Sequence, residues 1–186
     1  MSSLTDEVKN TLTSLLSGAG DVVSTVQNVA KDNVVKAVKG VGEVAETGTD
    51  AISDVVTGGV EAVSSAGSSL TDGVTGLVRG VVDGAKDVGV DTTEAAGQAA
   101  STAVKTVAQV GGDVGEAAVS AVKGAIEGAG DIGEDTASLA KSAVLGSLKA
   151  ADEIGSDAGS LVRKALLNAV ALPHDIIDAL ITGKTE

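Results

Sequence analysis

Residues 78–89 read VRGVVDGAKDVG, and they contain the pattern from which we predict the fold. A basic residue is followed eight positions later by Asp and ten positions later by Gly. The same spacing begins again at Arg79, Lys105, Lys123 and Lys149. Around each basic residue, small and aliphatic side chains recur at steps of three and four, which places them on one face of an α-helix. The pattern therefore predicts an all-α protein.

The distances between the copies describe the repeat. Successive copies begin 26, 18 and 26 residues apart, and two adjacent intervals cover 44 residues, or four units of eleven. An eleven-residue period is typical of a straight or slightly right-handed helix rather than of a left-handed coiled coil. We predict several Gly/Ala/Val-rich amphipathic helices, arranged either as antiparallel hairpins or as an elongated repeat array.

Composition divides the chain into three segments. We expect an N-terminal helix over residues 1–18, a helical repeat region rich in Ala, Val and Gly over residues 19–160, and a more hydrophobic helical segment over residues 161–186. The core should be thin, because the chain has no Phe, Tyr or Trp to fill a thick one.

Local signals mark several helix ends. Residues 3–6 (SLTD) and 91–94 (DTTE) resemble capping boxes at helix starts. The glycine pairs 58–59 and 111–112 are each expected to end a helix or to form a hairpin turn. Pro173 is expected in the first turn of the last helix.

Glycine is the main obstacle to this prediction. The chain has 25 glycines, and each one inside a helix costs about 0.8–1.0 kcal/mol relative to alanine. Close approach of two helix backbones can offset that cost, because small residues four positions apart form a groove for another helix. The predicted helix-packing residues are Gly76, Gly80, Gly84, Ala85, Gly89, Gly111, Gly115, Ala129, Gly133, Gly155 and Gly159. The alternative is that the glycines only break the chain into short helices.

The charge excludes several classes of partner. A net charge of −13 with dispersed Lys and Arg argues against nucleic acid, which binds clustered basic residues. The polar, acidic start is not a secretory signal, and no uncharged apolar run approaches the ~20 residues that span a bilayer. We expect a cytoplasmic protein, either free or peripheral to a membrane or granule.

The sequence contains little catalytic chemistry. His174 is the single histidine, between Pro173 and Asp175, and no Ser or Cys nucleophile motif accompanies it. The Asp-x-Gly stretches supply too few oxygen ligands for calcium. We expect no enzyme activity, no catalytic residues, no cofactor, no metal site and no small-molecule substrate.

The C-terminal segment concentrates bulky aliphatic residues. It either docks onto a partner or a lipid surface, or it caps the helical bundle. The candidate docking residues are Leu166, Leu167, Val170, Ile176, Ile177 and Leu180.

Two stretches resemble a known class of helical repeats. Residues 38–46 (VKGVGEVAE) and 104–112 (VKTVAQVGG) are similar in style to the eleven-residue repeats of synucleins, and also to those of perilipins and some late-embryogenesis-abundant proteins. The resemblance implies weakly apolar helices that form on lipid surfaces or on drying. It supplies no site residues.

These observations favour a non-enzymatic structural protein. We expect a self-associating helical scaffold or coat, built by close packing of small-residue helix faces within one chain and between copies in a homo-oligomer. The first alternative is an amphipathic coat on a lipid or granule surface, and the second is a desiccation protectant of the late-embryogenesis-abundant type.

Overall fold

The structure, a computed structural model, describes residues 3–18, 20–41, 45–169, 172–173 and 177. Over these residues the protein is all α, which confirms the predicted fold class, and it contains eight helices. They are α1 Leu4–Leu16, α2 Val22–Val41, α3 Ala45–Ser65, α4 Leu70–Val88, α5 Thr92–Gln109, α6 Val114–Ile132, α7 Thr136–Ile154 and α8 Ser156–Asn168.

The turns between helices repeat with a fixed chemistry. Glycines with positive φ stand 22 residues apart at the ends of successive helices, namely Gly67, Gly89, Gly111, Gly133 and Gly155. At the first four, φ lies between 67° and 79°, the left-handed conformation that glycine adopts without a steric penalty. The next N–H bonds back into the helix, as from Val90 to the Ala85 carbonyl at 2.9 Å. The turns at Gly67, Gly89, Gly111 and Gly133 therefore each end a helix with a Schellman motif.

The N-cap residue of the next helix stands two residues after each of the first four glycines. Its first N–H groups are capped by a Ser or Asp oxygen, from Ser69, Asp91, Asp113 and Asp135 in α4 to α7. A capping side chain satisfies a backbone donor that the helix itself leaves free. The helix starts predicted at residues 3–6 and 91–94 are confirmed, since the side chains of Ser3 and Asp91 accept from the third following N–H.

The helices form two layers. The odd-numbered helices α1, α3, α5 and α7 make one layer, and the even-numbered helices make the other. Each helix packs in parallel on the next helix of its own layer and antiparallel against its neighbour in sequence. The two arrangements considered from the sequence therefore coexist, because antiparallel hairpins are stacked into a repeat array.

One continuous hydrophobic cluster runs through all eight helices of the described chain. Val, Ala and Leu supply most of it, and the largest fully buried side chains are Leu and Ile. A core of small side chains keeps the layers close together, which brings backbone groups into contact.

Two predictions of local structure were wrong. The pair Gly58-Gly59 does not end a helix but lies inside α3, where a methyl group at Gly58 would collide with the Thr5 backbone of α1. The basic-residue repeat does not follow one helix face throughout. From Arg79 and Lys123 it stays within a helix as far as the turn glycine, whereas from Lys105 and Lys149 it crosses a turn.

Candidate functional site

A row of three glycines on α4 contacts the backbone of α2. A methyl group at Gly76 would lie 2.7 Å from the Val23 carbonyl oxygen, and one at Gly84 would lie 3.1 Å from that of Lys31. A methyl group at Gly80, between them, would collide with the Gln27 carbonyl. Because carbonyl oxygens of α2 occupy the space that Cβ atoms would need at Gly76 and Gly80, a larger residue there would push α2 away, whereas at Gly84 a shift of a few tenths of an ångström would suffice.

The same contact recurs between α6 and α4. A methyl group at Gly124 would lie 2.6 Å from the Thr75 carbonyl oxygen, and one at Gly128 would lie 3.1 Å from the Val82 Cβ. One turn earlier the Thr75 hydroxyl donates to the Ser120 carbonyl at 3.3 Å. The even-numbered layer therefore repeats one kind of backbone contact along the array.

The odd-numbered layer uses isolated glycines that the sequence analysis did not select. Gly97 of α5 and Gly146 of α7 contact each other, and a Cβ on Gly146 would collide with the Gly97 carbonyl. Nearby, the Ser142 hydroxyl donates to the Thr93 carbonyl at 2.7 Å. The available signal was weak, since each glycine has only Ser, Thr or Ala four residues away.

Four of the predicted packing residues are turn residues instead. At Gly89, Gly111, Gly133 and Gly155, no atom beyond the adjacent residues lies within 4 Å of the position of a Cβ. They occupy the ends of helices, where positive φ rather than close approach requires glycine. Their assignment to helix packing was therefore wrong.

The other predicted packing residues lie within helices. Ala85 and Ala129 are fully buried. A methyl group at Gly115 would lie 2.9 Å from the Ala165 Cβ of α8. One at Gly159 would meet the side chains of Asp152 and Arg163 rather than a backbone. Gly159 is therefore not part of a backbone contact.

The candidate docking residues divide between the core and the surface. Leu166 and Ile177 are completely buried in the hydrophobic cluster, so their assignment to docking was wrong. Leu167 is partly buried and packs against the same cluster. Val170, Ile176, Leu180 and His174 lie outside the described residues. The exposed bulky side chain in α8 is Leu161, at 55% exposure.

Ion pairs on the outer faces join four helices to the next helix of their layer, namely α1 to α3, α2 to α4, α4 to α6 and α5 to α7. Lys9 pairs with Glu61 at 3.5 Å, and Arg79 with Asp131 at 2.6 Å. In these pairs the basic residue lies on the earlier helix and the acidic residue on the later one, as also in the pair of Lys105 with Glu153. Exposed pairs of this kind contribute at most about 1 kcal/mol each, so they fix the order of helices more than they stabilise the fold.

These contacts shift several pKa values. Hydrogen bonding and charge from Lys105 hold the pKa of Glu153 below its ordinary value. The Arg163 guanidinium does the same for the pKa of Asp152, and hydrogen bonding to Asp131 raises the pKa of Arg79. The Ser138 hydroxyl lowers the pKa of the capping residue Asp135. All are surface groups that fix helix ends and edges.

Two wider features concern metals and membranes. Among the residues that the structure describes, no three or more His, Cys, Asp or Glu side chains are grouped so that they could hold a metal ion. In the same part of the chain, no helix has both the length and the apolar content to cross a membrane.

Comparison with known proteins gives no family for this chain. No protein-family model matches it, and no curated protein has a significantly similar sequence.

Proposed function

We propose that the protein is a non-enzymatic structural protein, a scaffold in which thin helices are held side by side by backbone contacts at glycine. The observation that carries this proposal is the glycine row of α4, Gly76, Gly80 and Gly84, seated on carbonyl oxygens of α2. Backbone atoms cannot move aside as side chains can, so repeated contacts of this kind give a stiff array.

The contact is used within one chain. The glycine row of α4, which the sequence predicts as a packing face, is occupied by α2 of the same molecule. We therefore propose that the scaffold folds as a single chain, and that association between copies uses other surfaces. A homo-oligomer, a lipid or granule surface as partner, and a cytoplasmic location stay predictions.

Circular dichroism with and without lipid vesicles tests the proposal. A scaffold of this kind should be strongly helical in water, because its apolar residues are already buried in the hydrophobic cluster. Phosphatidylcholine vesicles, with or without added phosphatidylserine, should leave the spectrum unchanged. Concentrations need peptide-bond absorbance, because the chain has no Trp or Tyr.

The two alternatives predict different spectra. A lipid coat would gain helix on vesicles, and a desiccation protectant would give a coil spectrum in water. Either result would overturn the scaffold proposal. Hydrogen exchange supplies a second check, since the amides of the inner helix α4 should exchange more slowly than those of the terminal helix α1.

A further inference from the structure

A charged side chain lies inside the contact between α2 and α4. Asp83 of α4 is 8% exposed, and it is the one charged residue that is buried in the described part of the chain. The Gln27 side chain of α2 donates to its Oδ2 atom at 2.8 Å. Its Oδ1 atom is buried and has no hydrogen-bond partner among the described residues. The hydrogen bond that this carboxylate accepts therefore comes from the helix against which α4 packs.

The glycine contacts alone do not determine how α2 is aligned along α4. Their partners are spaced by four residues on both helices, at positions 23, 27 and 31 of α2 and positions 76, 80 and 84 of α4. If α2 slid one turn toward the C-terminus of α4, position 23 would face position 80 and position 27 would face position 84. Two contacts between a carbonyl and a glycine would be preserved. The glycine row therefore leaves two alignments available.

The buried carboxylate distinguishes between these alignments. In the slid alignment, Val23 would take the place of Gln27 beside Asp83, and the carboxylate would lose its donor. A buried carboxylate without a hydrogen bond is strongly unfavourable, because nothing replaces the water that it loses. A buried polar residue can fix the register of packed helices in this way, as a single Asn does in coiled coils.

We propose that the pair of Gln27 and Asp83 fixes the alignment of α2 on α4 against a slide toward the C-terminus of α4. The glycines supply the close contact, and the buried pair selects which turn of α2 meets each glycine. At the corresponding position of α6, 44 residues later, Glu127 is less buried and pairs with Arg79 of α4, so the arrangement is particular to α2 and α4. The inference rests on the proposed scaffold, because it requires these helices to pack as described.

Carbodiimide cross-linking measures this alignment. The reagent joins a lysine to a carboxylate that it contacts, and Lys31 pairs with Asp87 at 3.5 Å. In the slid alignment Lys31 would instead stand beside Asp91, one turn further along the chain. Mass spectrometry that locates the cross-link therefore distinguishes the two alignments.

The test variant is Q27L/D83V, which replaces the pair by aliphatic residues like those of the surrounding core. We expect it to stay helical, because exchange of a buried polar pair for apolar residues is often neutral for stability. The ratio of Asp91 links to Asp87 links should rise by about tenfold or more over the wild type, which corresponds to the cost of one unsatisfied buried acceptor. The D83N variant should keep the wild-type ratio, because the asparagine oxygen still accepts from Gln27.

The matched control is S53A/Q98L. It also removes a glutamine hydrogen bond between successive helices of one layer, since the Gln98 side chain of α5 donates to the Ser53 hydroxyl of α3 at 2.7 Å. Because this bond does not join α2 to α4, the control should give the cross-links of the wild type.

The outcomes separate the two proposals. A helical Q27L/D83V variant with the wild-type ratio of links, or a raised ratio in D83N, overturns the role of the pair in alignment. An equal rise in the control also overturns it, because loss of any such hydrogen bond would then loosen the array. Loss of helix in Q27L/D83V overturns it as well, since the pair would then be needed for folding itself. A coil spectrum for the wild type instead overturns the scaffold.

Discussion

Replacing Gly80 by alanine should destabilise the protein, although alanine is the better helix former. Gly80 lies inside α4, where the substitution gains about 0.8–1.0 kcal/mol of helix propensity. The new methyl group, however, would collide with the Gln27 carbonyl and would lie 2.9 Å from the Ala30 Cβ. The outcome depends on whether α2 can move away.

The magnitude follows from the separation that the methyl group demands. Carbon atoms pack at about 3.5–4.0 Å, so α2 and α4 would have to part by roughly 0.5–1 Å, which forfeits a quarter to a half of the dispersion energy between the atoms involved. Overpacking of this kind costs about 1–3 kcal/mol. After subtracting the propensity gain, we expect Gly80→Ala to lower the free energy of unfolding by about 1–2 kcal/mol.

Urea unfolding followed by circular dichroism measures this change, and Gly130→Ala is its control. Gly130 also lies in a helix, α6, but apart from its own helix backbone no atom lies within 4 Å of its Cβ position. Its substitution should therefore raise the free energy of unfolding by about 0.5–1 kcal/mol. If the two variants were stabilised alike, α2 and α4 would not be in backbone contact, and the account of the glycine rows would be refuted.

Three further predictions concern the turns, the surface carboxylates and the repeat. Gly133→Ala should cost about 1–2 kcal/mol in the same urea assay, because its φ of 73° is unfavourable for a residue with a Cβ; an unchanged midpoint would refute the turn assignment. Four surface carboxyl groups have folded-state pKa values below the ordinary range, namely Asp21, Asp135, Asp152 and Glu153. The stability that they contribute is present above about pH 4.5 and is lost as the pH falls through their lowered pKa values. The urea concentration at the unfolding midpoint should therefore decrease as the pH is lowered from about 5 to 3. The decrease should be less steep in Asp135→Asn. Deletion of residues 70–113, which joins Ser69 to Val114, should leave a shorter helical protein with cooperative unfolding, because Gly124 and Gly128 then replace Gly80 and Gly84 on α2; a molten or coil product would contradict the equivalence of the repeats.

Much of the fold was predictable because the spacing of apolar positions indicates a helix even where the residue types are poor helix formers. Steps of three and four around Arg79 identify a helix even though valine and glycine are poor helix formers. The positions of the helix ends were harder to predict from the sequence. Spacing alone cannot distinguish a packing glycine from a turn glycine, and Gly89 fits both roles. The discriminating signal was the Ser or Asp two residues later, repeated every 22 residues, which marks the start of the next helix.

The candidate site was predictable in part. The series Gly76, Gly80 and Gly84 predicts a groove on the helix, but its spacing does not indicate which helix fills that groove. A partner from the same chain and one from a second copy need the same small residues, so the sequence left the choice open. Leu166 illustrates a similar limit, because a bulky aliphatic residue near the chain end suits a docking surface and a core position equally well.

The two-layer arrangement also determines how the molecule would come apart. In the described chain, every contact between helices joins elements that are at most two apart in sequence. A force applied to the two ends would therefore act on one terminal helix at a time, and the array would peel in steps rather than rupture in a single event. Because contacting helices are close in sequence, folding should also be fast. No segment that is distant in sequence has to pair before two helices become stable.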